Sequence, residues 1–141
     1  MLNKIYRLIY VSQNTLHGPV EDMKREVDQI LAVSRHNNAR DGITGALLFN
    51  SSCFAQVLEG ELDAVHGVFE RIQMDPRHSE TVVLACEPAS REFGDWSMAY
   101  AGAVRNEEIA FSPLAEPAVH QASATRILDL LRGVVLRQGA Q

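Results

Sequence analysis

Residues 4–12, KIYRLIYVS, read as a strand: Tyr6, Leu8, Tyr10 and Ser12 share one face, and Ile5, Arg7, Ile9 and Val11 share the other. Apart from Arg7, both faces are largely apolar or aromatic, which predicts cover on both sides. The turn-rich NTLHGP follows, and from about Pro19 the spacing becomes helical. Val20, Met23, Val27, Ile30, Leu31 and Ser34 fall on one stripe, with Glu21 and Asp22 at the start, where acids suit the positive helix end. GITGALLFN and CFAQVLEG predict two strands joined around Asn50-Ser51-Ser52. A second helix over roughly 62–75 carries Val65, Val68, Phe69 and Ile72, with Arg71 and Asp75 as an i,i+4 pair on its flank, and Pro76 ends it. TVVLACEP predicts a fourth strand, and REFGDWSMAYAG a fifth containing Trp96 and Met98.

The order β-α-β-β-α-β-β predicts an α+β ferredoxin-like sandwich with both helices on one face of the sheet. Residues 101–122 contain NEEIAFSPLAEPAV, broken by two prolines, and read as a linker. A last helix from about Ala122 to Leu136 carries Ile127, Leu130, Leu131, Val134 and Val135 at helical spacing, with Arg126, Arg132 and Arg137 on its exposed side. This C-terminal helical extension fits two places, the second sheet face or the surface of another subunit.

Composition narrows the function classes. The 141 residues suffice for one compact domain, and 46% hydrophobic and 22% charged residues are ordinary for a globular protein. A net charge of -5 with dispersed Lys and Arg argues against nucleic acid as the main partner. No stretch approaches the roughly 20 apolar residues of a membrane span, and no secretory leader is evident, so a cytoplasmic location is expected. Cys53 and Cys86 lie in apolar strand-like runs and read as small buried hydrophobes.

Several polar side chains fall on faces that otherwise read as core. Asn38 lies four residues after Ser34, and Asn37 seven after Ile30, so both extend the buried stripe toward the helix end. Gln56 sits between Phe54 and Leu58 on one strand face, a costly place for an amide without partners. Taken singly, each has an ordinary role: Tyr10 as a half-buried strand tyrosine, Asn37 and Asn38 as helix-end residues tolerant of left-handed backbone, Gln56 bonded to nearby backbone. Arg71 and Asp75 alone are an exposed pair worth about 0.3–0.5 kcal/mol. In a ferredoxin-like arrangement, however, Tyr10, Ser12, Ser34, Asn37, Asn38, Gln56, Arg71 and Asp75 converge on the cleft between the two helices and the sheet. The amides and the phenol offer donors and acceptors with little formal charge. Such a set suits a flat heteroaromatic ligand whose edge alternates C=O and N–H, and suits a phosphate poorly.

Five blocks, YRLIYVS at 6–12, SRHNNARDGITGALLF at 34–49, FAQVLEG at 54–60, RIQMDPRH at 71–78 and FGDWSM at 93–98, resemble in order and spacing those of the BLUF domain, a flavin-binding blue-light photoreceptor module. The resemblance covers about residues 3–100. It implies a flavin ring between the two helices, over the sheet. Position by position, Tyr10 matches the phenol that gives an electron and a proton to the excited flavin, and Gln56 the glutamine between that phenol and flavin N5 and O4. Asn38, with Asn37 beside it, matches the asparagine on the ring's carbonyl and N–H edge, and Arg71 and Asp75 match polar groups near its pyrimidine end. Ser34, Trp96 and Met98 match residues around the glutamine that respond to its rearrangement. The resemblance further implies a photosensory domain over 1–100, a linker and C-terminal helix over 101–141, and FAD as cofactor, with FMN or riboflavin as alternatives. It implies a homo-oligomer that is not an enzyme. With no output domain in 141 residues, the signal is expected to pass to a separate effector, such as a cyclic-di-GMP phosphodiesterase or a transcription regulator.

A glutamine is physically suited to switching, because one amide carries a donor and an acceptor and can exchange them without changing charge. One exchanged hydrogen bond is worth about 1 kcal/mol, so an output needs a second bistable element. The strand holding Trp96 and Met98 is the candidate, since it leads into the linker and last helix. Two other readings use the same fold: a flavin-free interaction adapter and an enzyme acting on a small heterocycle. Against the enzyme, the histidines at 17, 36, 66, 78 and 120 lack metal-ligand spacing, and no P-loop, G-x-G-x-x-G or nucleophile elbow occurs.

Overall fold

The computed structural model describes residues 4–16, 18–50, 53–76, 78–94, 98–103 and 117–139. In chain order the elements are β1 (Tyr6–Asn14), α1 (Val20–Asp41), β2 (Thr44–Phe49), β3 (Cys53–Gly60), α2 (Leu62–Gln73), β4 (His78–Pro88), β5 (Ala99–Ala103) and α3 (Pro117–Gly139). The five strands form one sheet in the order β4-β1-β3-β2-β5. β1, β2, β3 and β4 pair antiparallel, while β5 joins β2 in parallel. This is the expected α+β ferredoxin-like sandwich with one added strand.

Two local features fix the passage from α1 into the sheet. Gly42, at φ 72°, takes the left-handed conformation that stops α1, and its N–H donates to the Asn38 carbonyl. Gly45 lies where β2 passes so close to the Val57 carbonyl of β3 that a Cβ would collide with it.

The sheet buries both faces. Leu8, Leu47, Phe49 and Leu58 pack with Met23, Val27 and Leu31 of α1 and Val65 and Val68 of α2. On the opposite face, Ile9, Val11, Leu48, Ala55 and Val57 pack with Ala124, Ile127, Leu128 and Leu131 of α3. Of the two places open to the last helix, it takes the outer sheet face. Ion pairs reinforce it: the Glu92 carboxylate accepts from Arg132 of α3 and, at 3.0 Å, from Arg7 of β1. Arg132, followed by Arg7, holds that carboxyl below its usual range.

Some boundaries differ from expectation. α3 begins at Pro117, five residues before Ala122, because proline is tolerated in the first turn of a helix. β5 begins after Met98, and Trp96 lies outside the described residues, as do Ser51 and Ser52 of the hairpin and the side chain of Arg137. Cys53 is buried as expected, but Cys86 is exposed, because β4 is the edge strand of the sheet. Partial burial and Glu87 push its thiol pKa up, away from thiolate reactivity. Among the described residues no helix is long and apolar enough to cross a membrane, and no cluster of metal-ligating side chains occurs.

Candidate functional site

The register of β1 against β3 places Tyr10 directly opposite Gln56. Cross-strand neighbours on one face stand close enough for their side chains to bond. The Tyr10 hydroxyl donates to Gln56 Oε1, with both residues buried. The other arm of the amide, Nε2, donates to Met98 Sδ at 3.2 Å. Gln56 therefore bonds two side chains, one from β1 and one from the residue just before β5, not adjacent backbone. The Tyr10 ring packs against Phe69 of α2, with centroids 5.4 Å apart and planes tilted by 51°. Burial, followed by the charge of Asp75, pushes the phenol pKa well above its ordinary value, so the group is held protonated.

This pair forms the floor of a cleft of about 140 Å³ between α1 and α2. Ser34, Asn37 and Asn38 line it from α1, Arg71 from α2, and Asp75 from just beyond the end of α2. Ile30, Val33, Leu47, Phe54, Val68 and Ile72 supply apolar walls. Asn38 is 2% exposed, and neither asparagine is the left-handed cap; Gly42 has that role, which leaves both amides on the helical stripe facing the cleft. Arg71 reaches across the mouth to Asp41 at the end of α1, at 2.7 Å. Arg40, followed by Arg71, holds the Asp41 carboxyl down to about 2.

Tyr10, Ser34, Asn37, Asn38, Gln56, Arg71 and Asp75 thus share one cleft, as the sequence predicts. Met98, 1% exposed, belongs to the core below it and touches Gln56. Ser12 is buried but does not line the cleft. Sequence reasoning missed the apolar walls as such, the Arg71–Asp41 bridge, and Arg35, whose Nε donates to the Met98 carbonyl at 3.0 Å. It also missed Glu59, buried on β3, which accepts from the backbone N–H of Glu92 at 2.7 Å and of Phe93 at 3.1 Å. A charged residue inside an apolar strand was the available signal for Glu59; nothing in the chain marked Arg35.

The donor set tests what the cleft accepts. Neutral amides and a phenol between apolar walls fit a planar ring that alternates carbonyl and N–H along its edge. They fit a flavin ring well. Comparison with known proteins decides the family: a family model described as "Sensors of blue-light using FAD" matches residues 5–99.

The chain belongs to the BLUF family.

BLUF domains are flavin-binding blue-light photoreceptors that act in signal transduction. The chain is similar to photoactivated adenylate cyclase subunit beta of Euglena gracilis, 36% identical over 93 residues, 65% of this chain and 11% of that protein. It is similar to the blue light- and temperature-regulated antirepressor BluF of Escherichia coli, 36% identical over 92 residues, 64% of this chain and 22% of that protein. The chain therefore spans a small fraction of the length of these curated relatives. Among solved structures, the dark-state structure of the BLUF protein BlrB superposes with a TM-score of 0.69 at 31% identity, covering 98% of this chain and 99% of that one. The BlsA ground state superposes with a TM-score of 0.71 at 30% identity, covering 89% and 85%. Both of these BLUF structures are matched by this chain over most of their own length.

Proposed function

We propose that this BLUF domain senses blue light through the hydrogen-bonded chain Tyr10–Gln56–Met98, with the flavin held in the cleft above it. Asn37, Asn38 and Gln56 would hold the ring's polar edge, with Ser34 and Tyr10 beside them and Arg71 and Asp75 at the far end. FAD is the flavin assigned, following the family description; a solved BLUF relative, BlrP1 of Klebsiella pneumoniae, is described with FMN, which keeps the mononucleotide, like riboflavin, as an alternative. When bound, the flavin supplies the absorption of blue light and, once excited, an acceptor for an electron.

Every other step falls to side chains of this chain. Tyr10 is the donor: its phenol is kept protonated, and its O–H points at Gln56 Oε1, so a departing proton has an acceptor in place. The carbonyl of Gln56 faces a donor, and its NH2 faces a thioether that accepts but cannot donate. Rotation or tautomerisation of the amide exchanges its arms without changing net charge. The amide would then present a donor where its carbonyl stood, and a donor gained by a bound flavin would shift its absorption to the red. Where the amide rotates, its carbonyl would confront the Met98 sulfur with no proton between them, which would displace Met98. This repulsion is the physical link from Gln56 to the segment carrying Trp96 and Met98, and onward through β5 to residues 101–141, read as linker and output helix.

Support for this reading is the geometry of one buried amide whose two arms engage β1 and the residue that leads into β5. The partner of the signal is read as a separate effector, such as a cyclic-di-GMP phosphodiesterase or a transcription regulator, reached by an oligomeric BLUF protein. A relative described as an antirepressor and BlrP1, described in complex with cyclic diGMP, support that choice of class.

A light-minus-dark absorption spectrum tests the proposal. The parent protein is expected to be yellow and to give a small, reversible red shift; Gln56→Leu is expected to bind flavin and give none. A Gln56→Leu protein that shifts normally, or a parent that takes up no flavin, overturns it. In the same series, Met98→Ala with parental red shift and parental partner response would remove Met98 from the output path.

A further inference from the structure

Met98 is held from two directions. Its sulfur accepts from Gln56 Nε2 at 3.2 Å, and its backbone carbonyl accepts from Arg35 Nε on α1 at 3.0 Å. The next residue, Ala99, begins β5 and pairs with Ala46 of β2. We infer that Arg35 is a positioning residue of the photoswitch: it holds the Met98 backbone so that the sulfur stays at Gln56 Nε2 and selects one orientation of that amide. The inference rests on the reading of Gln56 given above and extends it to a residue outside the cleft.

The argument is one of relative strengths. A thioether is a weak acceptor, and the Tyr10 hydroxyl on the other arm can donate or accept, so it suits either orientation of the amide and leaves the choice to the sulfur. The contact becomes selective only if the sulfur has a fixed position, and a side chain as flexible as methionine does not fix itself. Its backbone must be fixed for it. A bond from a guanidinium to a carbonyl is charge-assisted, stronger than the contact it supports. Arg35 does not line the cleft, so it holds the switch without holding the ligand. It does follow Ser34, which lines the cleft, on the same turn of α1. Displacement of Met98 therefore pulls directly on the helix that faces the flavin, and a change at Ser34 is carried back to Met98.

Arg35 is exposed, so Arg35→Ala is expected to fold and bind flavin at the parental ratio. It is expected to give the red shift but return to the dark state about five-fold more slowly, since the sulfur no longer waits at the amide's resting position. Arg35→Lys, which keeps a cationic donor, is expected to recover between the two. Hydrogen exchange in the dark should quicken at the β5 amides in Arg35→Ala alone. Met98→Leu keeps the apolar volume and removes the sulfur; in that background, adding Arg35→Ala should alter recovery by less than roughly two-fold. Parental recovery in Arg35→Ala, or an undiminished effect in the Met98→Leu background, overturns the inference. A normal red shift in Gln56→Leu alongside these variants would instead overturn the role of Gln56, so the two failures are distinguishable.

Discussion

Ile9 and Val11 point toward α3, while Tyr10 between them points toward α1 and α2; Ala55 and Val57 flank Gln56 in the same way. The same strands thus build two unlike faces. The outer face is apolar from Val11 to Leu131 and is closed by α3. The inner face also buries many large apolar side chains but is opened by a cleft with a phenol and three amides. Because successive strand residues alternate sides, a register slip of one would move every polar group into the sealed core. The difference teaches that the outer face supplies a closely packed back, while the polar side chains of the candidate site all lie in front.

Removing packing from the back should cost the most. Leu131→Ala, at a fully buried site beneath the sheet, is expected to lower unfolding stability by about 2–5 kcal/mol in chemical denaturation, with the red shift intact. A loss of red shift as large as the loss of stability would break the distinction between the faces. The front contributes a smaller, pH-dependent part through Tyr10. Its folded pKa lies above the ordinary value of 10.0, so the neutral phenol stabilises the fold fully below pH 10.0, and this contribution is lost as pH rises beyond it. Relative to Tyr10→Phe, the parent should lose about 1.4 kcal/mol per pH unit above that point in denaturation series at stepped pH. An identical alkaline profile for the two proteins would show that the phenol is not buried as described. The smallest effect belongs to the mouth of the cleft. The Asp41 carboxyl, lowered from 3.8 to about 2 by Arg40 and Arg71, stabilises the fold above pH 3.8 and ceases to do so as pH falls to about 2. Asp41→Asn should flatten that part of the acid titration only slightly, because the bridge is exposed to solvent.

Much of this arrangement was legible in the chain. The helical stripe from Val20 to Ser34, carried on to Asn37 and Asn38, placed those amides on the buried side of α1, and alternation in FAQVLEG placed Gln56 with Phe54 and Leu58. The β-α-β-β-α-β-β order then brought those faces together. The chain did not reveal that Arg71 bridges to Asp41, because spacing along α2 shows only the neighbours on that helix. Nor did it reveal that Cys86 is exposed, since an apolar run reads the same in an edge strand as in a central one.

Local periodicity and turn chemistry, which act between residues a few positions apart, determined the elements, their faces and the blocks that mark the family. Contacts across long stretches of chain came only with the tertiary structure: α3 on the outer face, Glu59 holding the Glu92–Phe93 backbone, and Arg35 reaching Met98 over 63 residues. Such contacts depend on strand register and helix packing acting together, and no pattern of spacing along a single element encodes them.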